Sequence, residues 1–239
     1  MGASVERGLV KTKSLMACAL WMVMLSGAAM AQQANGLEGV LASMDKASAN
    51  FKAIECSFNW DQFTKVVNDT DTQAGHMFFR RSGESIEMAA HIEKPDTKIV
   101  VFSNGIVRIY QPKIDTEQRI DAGKNRAEFE SFLVLGFGGR GHDLSKSFDV
   151  QFGGNETVQG VTTAKLVLTP KEAKVKNMFN SIILWIDPAR GISIQQQFMQ
   201  PSGDYRLAKY TDIKVNQKLP DDAFKINTTR KTKVVTPNG

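Results

Sequence analysis

Residues Gly75 to Pro112, GHMFFRRSGESIEMAAHIEKPDTKIVVFSNGIVRIYQP, decide the fold. The spacing predicts four short strands joined by Arg-Ser-Gly, Lys-Pro-Asp and Ser-Asn-Gly turns. Strict alternation puts Met77, Phe79 and Arg81 on one face of the first strand, and Ile86, Met88, Ala90 and Ile92 on one face of the second. An arginine therefore shares a face with large apolar groups, while Arg80 points the other way.

Upstream, Leu37, Val40, Leu41, Met44, Ala47, Ser48 and Phe51 recur at helical spacing and form one stripe. Asn35 is placed to cap this helix, with Glu38 three residues on as a capping box. Next comes IECSFNWDQFTKVV, alternating through Ile54, Cys56, Phe58 and Trp60, with Phe63 on the other parity; a bulge near Asp61 or a shifted register accounts for it. A single amphipathic helix followed by strands predicts helix packed on sheet.

Downstream of Pro112, TEQRID is a further short strand, and Asn125 to Phe137 returns to helical spacing with Phe129, Phe132, Leu133 and Phe137 on one side. The following GGRGHDLSKSF reads as a flexible joint and a short helical turn carrying Leu144 and Phe148. This segment is either a movable cover over an apolar cavity or a helix docked permanently on the core. The remainder, DVQFGGN, TVQG, VTTAKLVLTP, NSIILWIDPARG, ISIQQQFMQPSG, DYRLAKYTDIKVNQ and DAFKINTT, is a meander of antiparallel hairpins. Thr228 to Gly239 reads as a flexible basic tail.

The chain opens with Arg7, Lys11 and Lys13, then an apolar run from Leu15 to Leu25, then SGAAMA ending at Ala31, the pattern of a secretory signal peptide. The run is short for an anchor, since a span takes roughly 20 residues. Cleavage takes 31 of the 239 residues and leaves 208, enough for one all-β domain over residues 32–227. The leader holds three of 30 basic and one of 25 acidic side chains, so the mature net charge is +3. That balance is too mild for a nucleic-acid partner. Only Cys56 survives, so packing and not a disulfide must stabilise the domain.

No catalytic constellation stands out. Gly136, Gly138 and Gly141 spell G-x-G-x-x-G, but they trail a helical pattern, whereas a dinucleotide fingerprint follows a strand. His76, His91 and His142 lack metal-ligand spacing, so no metal or other cofactor is expected. There is no G-x-S-x-G elbow, and Cys56 alternates with core residues. An enzyme is not the expectation.

Several segments carry a family resemblance. Phe63-Thr64-Lys65-Val66 resembles the Phe-Thr-Gln segment after the first helix of the LolA-type outer-membrane lipoprotein carriers. Gly75-His76-Met77-Phe78-Phe79-Arg80-Arg81 is similar to their Gly-x-Leu-Trp-Val-Lys-Arg-Pro strand. Ile99 to Gly105 and Tyr110-Gln111-Pro112 resemble their Ile-Leu-Val-Ser-Asp-Gly hairpin and Tyr-Asn-Pro turn. Leu166 to Lys171 and Leu219 to Phe224 resemble a Leu-Thr-Pro strand end and the closing segment. Phe78 replaces the motif tryptophan and Ser82 the motif proline.

The resemblance implies a mainly β fold with helices (α+β): a curved, unclosed antiparallel sheet, or half-barrel, covered by an N-terminal helix and a lid-like helical segment. A closed lipocalin-like barrel is the structural rival. It also implies a monomeric periplasmic carrier that takes acylated lipoproteins or related lipids from an inner-membrane release complex to an outer-membrane acceptor. A lipid-sensing regulatory domain, or a carrier of another lipid, is the alternative; a lipid hydrolase lacks a nucleophile. On parity and helical spacing, Met77, Phe79, Ile86, Met88, Val101, Phe129, Phe132 and Leu133 are the expected cavity lining. Arg81 matches the family's motif arginine, whose implied role is to hold the cover closed. Its reach includes the carbonyls of Leu135 to Gly138, and an exposed arginine without a partner is the plain alternative.

Overall fold

The computed structural model describes residues 36–83, 85–121, 123 and 135–236. Helix α1 (residues 36–49) leads into twelve strands: β1 (Ala53–Thr64), β2 (Asp69–Ser82), β3 (Ser85–Lys94), β4 (Lys98–Ser103), β5 (Ile106–Gln111), β6 (Thr116–Asp121), β7 (Phe148–Val158), β8 (Val161–Pro170), β9 (Ser181–Asp187), β10 (Ile192–Met199), β11 (Tyr205–Val215) and β12 (Lys233–Val235). They form one sheet in the order β12-β6-β5-β4-β3-β2-β1-β11-β10-β9-β8-β7. Its two ends, β7 and β12, do not pair, so the sheet is unclosed and the closed-barrel rival is excluded.

The four strands expected between Gly75 and Pro112 are β2 to β5, with Asn104 and Gly105 supplying the two positive-φ positions of a tight hairpin. The apolar stripe of α1 is seated as its spacing predicts: Val40, Leu41 and Met44 pack with Leu166, Leu168, Ile182 and Leu184 of β8 and β9. Phe51, just past the helix, joins Ile54, Cys56, Phe58, Met77 and Phe79. We call the face that carries both clusters the inner face. Cys56 is a core residue, its thiol pushed up to about 12 by burial and then by the nearby Glu55 charge.

Five expectations are corrected. Asp61 carries no bulge: β1 pairs with β2 without interruption, and its one register shift, against β11, lies between Glu55 and Ser57. Phe63 packs on Tyr205 at 5.0 Å, where the strands run past the core. The Gly153-Gly154 pair does not end a strand but forms an irregularity within β7, so Thr157 and Val158 belong to the same strand and Gln159-Gly160 make the turn to β8. DAFKINTT forms no strand; it crosses the outer face, where Ala223 and Phe224 cover Phe78, Ala89 and Val101. The basic tail adds β12, parallel to β6, so the sheet is mixed. Thr229 and Thr232 fasten that tail by donating to the Asp115 carboxylate at 2.8 and 2.6 Å. Asn35, Phe129, Phe132 and Leu133 lie outside the described residues. Among the described residues no helix is long and apolar enough to cross a membrane.

Candidate functional site

Met77, Phe79 and Met88 come together as alternation requires, with Phe79 opposite Met88 and Ile86 opposite Arg81. Ile86 is half-buried at the end of this strip. Val101 is not brought to them. It pairs with Ala89 and packs with Phe78 on the outer face, and Val100 takes the inner position beside Met77 and Phe79.

The centre of the inner face is filled. Phe137, 1% exposed, stacks on Phe79 at a centroid distance of 5.4 Å and meets Tyr210 edge-on at 4.7 Å. Its segment is stitched down on both sides. The Ser193 main-chain N–H donates to the Gly136 oxygen at 2.8 Å, and Gln196 Nε2 donates to the Leu135 oxygen at 2.6 Å. On the other side Arg81 donates through Nη2 to the Gly138 oxygen at 2.8 Å and through Nη1 to the Ser48 oxygen at 3.0 Å. Ser48 Oγ donates to the same Gly138 oxygen at 2.7 Å. The guanidinium lies over the Phe51 ring at 5.5 Å. Of the carbonyls from Leu135 to Gly138 that its strand position brings within reach, Arg81 bonds that of Gly138.

Glycine is required here for closeness and backbone shape. Gly136 and Gly138 both hold φ of +76°, and a Cβ on Gly138 would stand 2.5 Å from the Phe51 ring. A Cβ on Gly141 would meet the Leu41 main-chain oxygen at 2.4 Å. The G-x-G-x-x-G pattern is therefore a packing device that lets the loop lie against α1 and β10. The expected flexible joint is a closely bonded strap.

A second fastening joins the strap to α1. His142 Nδ1 faces Asp45 Oδ2 at 2.5 Å, His142 Nε2 faces Glu38 Oε1 at 3.1 Å, and the His142 main-chain N–H donates to Asp45 Oδ1 at 3.2 Å. Glu38 thus serves this clasp. The hydrogen bond to Asp45 lifts the His142 imidazole above its ordinary value against the effect of burial, with Glu38 adding to the lift. Burial pushes the Asp45 carboxyl up, but bonds from His142 and the Arg140 charge outweigh it, and the carboxyl sits below the usual range.

Beside the strap a half-open cleft of about 380 Å³ is walled by Met44, Leu144 and Phe148 and rimmed by Ser48, Arg81 and Arg140. The arrangement has an apolar floor, an aromatic plug and polar fastenings around it. Among the described residues no three candidate ligands gather to hold a metal ion. Sequence reasoning missed Ser48, counted as part of an apolar stripe, and the inward Ser193 and Gln196. Their signal was present as polar residues at core positions of otherwise apolar patterns.

An unclosed sheet with an apolar inner face and a separately fastened cover is a half-barrel. The chain belongs to the family of the outer membrane lipoprotein carrier protein LolA, whose model matches residues 49–227. Carriers of this family are periplasmic and are not enzymes. No curated protein matches the chain. Among solved structures, an uncharacterised conserved protein from Thermus thermophilus is similar at 12% identity, covering 83% of this chain and 98% of that one, with a TM-score of 0.53. MucB is similar at 13% identity over 79% of this chain and 62% of that one, with a TM-score of 0.50; it is also known from the Pseudomonas aeruginosa MucA/MucB complex. A lipoprotein-sorting protein domain from Vibrio parahaemolyticus matches at 10% identity, covering 80% and 96%, with a TM-score of 0.43. These likenesses concern the fold.

Proposed function

We propose that the mature chain, released from its signal peptide near Ala31, carries acylated lipoproteins through the periplasm from an inner-membrane release complex to an outer-membrane acceptor. The observation that carries this reading is Phe137, an aromatic plug on the apolar inner face, held by main-chain hydrogen bonds to Arg81 and Ser48. Withdrawing the plug frees the strip of Met77, Phe79 and Met88 for an acyl chain.

The magnitudes permit such an exchange. The plug segment from Leu135 to Gly138 is held by four hydrogen bonds at a net ~0.5–1.5 kcal/mol each, about 2–6 kcal/mol together. Exposing Phe137 costs roughly 1.5–3 kcal/mol more. An acyl chain of ~15 methylenes gains about 12 kcal/mol on leaving water. Loading therefore outweighs opening, whereas release into water does not occur and cargo passes directly to an acceptor. The test is to mix the protein with a detergent-solubilised triacylated lipoprotein, dilute the detergent and separate by size. A one-to-one complex that the unacylated lipoprotein does not form is the expected result; equal behaviour of the two cargoes contradicts the proposal.

A further inference from the structure

The inner face has a second arginine at its far end. Ala208 and Tyr210 of β11 belong to the inner cluster, with Trp60 packed against it, so alternation places Arg206 on the same face. It stands opposite Gln62 of β1 and Phe198 of β10. Its guanidinium lies over the Trp60 ring at 5.7 Å, and its Nε donates to Gln62 Oε1 at 3.1 Å. Among the described residues no carboxylate pairs with it, and both terminal nitrogens are left without an acceptor. The buried indole of Trp60 interacts with the Tyr210 hydroxyl only beyond full hydrogen-bond distance.

This contrasts with the cations nearby. Lys209 on the outer face is paired with Asp61 at 3.1 Å, and Lys214 with Glu55 at 2.9 Å. An arginine set on an aromatic ring, held by one amide and left with a free fork, has the donor geometry that suits an oxyanion. The strip leading away from Arg206 is also long enough to hold an acyl chain. From Ile54, opposite Phe79, to Gln62, opposite Arg206, β1 advances eight residues, about 26 Å at ~3.3 Å each. One leaflet's acyl chain spans half of the ~30 Å hydrocarbon core, about 15 Å. A chain with its polar end at Arg206 therefore lies wholly on the strip, its tail directed toward Phe79 and ending short of it.

We propose that Arg206, seated on Trp60, is a subsite for the anionic headgroup, phosphate or carboxylate, of an amphiphile whose acyl chain lies on the inner face. The proposal rests on the carrier reading, since it needs the acyl chain on that face. It gives the protein a charge preference among amphiphiles that an apolar strip alone lacks.

Hexadecyl phosphate, hexadecanoic acid and hexadecanol, which share one chain length, separate the possibilities by displacing an acylated fluorophore from the full mature chain. Wild type is expected to bind one or both anions about 10-fold more tightly than the alcohol, the weight of one charge-assisted hydrogen bond. The stronger of the two anions identifies the headgroup class. Arg206→Gln is expected to erase that preference and leave hexadecanol unchanged. Lys209→Gln, with the same loss of charge on the outer face, is expected to keep it. The preference should also fall as salt rises. If hexadecanol displaces the fluorophore as well as the anions do, or Arg206→Gln keeps the preference, the subsite is overturned and the carrier reading stands. If no probe displaces it, the carrier reading falls and the subsite with it.

Discussion

Arg81 Nη2 donates to the main-chain oxygen of Gly138 at 2.8 Å, joining the end of β2 to the strap that carries the aromatic plug. The same guanidinium holds the Ser48 oxygen at the end of α1, so one side chain ties sheet, helix and strap together. Arg81→Leu is expected to raise affinity for an acylated fluorophore about 10- to 100-fold, because less free energy goes into opening. Transfer to an acceptor should slow. Arg80, which faces outward, pairs with Glu87 and lies over Phe224 at 4.4 Å; Arg80→Leu should change neither quantity. Equal fluorophore titrations for wild type and Arg81→Leu would remove the latch.

Phe137 fills space between Phe79 and Tyr210. Phe137→Ala should lower unfolding stability by about 3–5 kcal/mol in a urea titration. Bound hexadecanol should recover part of that loss by taking up the vacated volume, and its stabilising effect should be larger on the variant than on wild type.

Gly138 combines φ of +76° with a ring 2.5 Å from the site of a Cβ. Gly138→Ala should cost at least about 2 kcal/mol through backbone strain and displacement of Phe51. Gly83, with positive φ but open surroundings, should cost less on the same change. Thermal unfolding of the two variants gives the comparison.

The His142 clasp has a pH window with a definite sign. The His142 value is raised on folding, so its contribution is complete below its ordinary value of about 6.5 and is lost as pH rises through the higher folded value. The Asp45 value is lowered, so its contribution is present above about 3.9 and lost as pH falls further. Amide exchange at residues 135–142, corrected for intrinsic rate, should therefore be slowest between those values and quicken as pH rises through the raised His142 value. His142→Gln should flatten the alkaline side.

Much of this was legible in the sequence, for identifiable reasons. The α1 stripe, the strands β2 to β5 and the reach of Arg81 follow from helical spacing, alternation and an Asn-Gly turn. Val101 lies on the face opposite to the expected one because β4 is apolar on both sides: Val101 is 2% exposed and Phe102 fully buried, so alternation gives no parity. The second covering comes from residues 219–226, too far along the chain for local patterning to reveal. Gly153-Gly154 reads as a turn in the sequence because turns and strand irregularities draw on the same backbone freedom. The strap looked mobile because its glycines carry no record of Phe51 and Leu41, the neighbours that make them necessary.

Which face takes the acyl chain is the central question, and a photoreactive group on the acyl chain of a synthetic triacylated lipopeptide answers it directly. After loading and illumination, mass spectrometry locates the labelled residues. The account predicts labels on Met77, Phe79, Met88 and Phe137 of the inner face, reduced by an unlabelled triacylated competitor. Labels confined to the outer face around Phe78, Val101 and Phe224, or labels indifferent to the competitor, would contradict it.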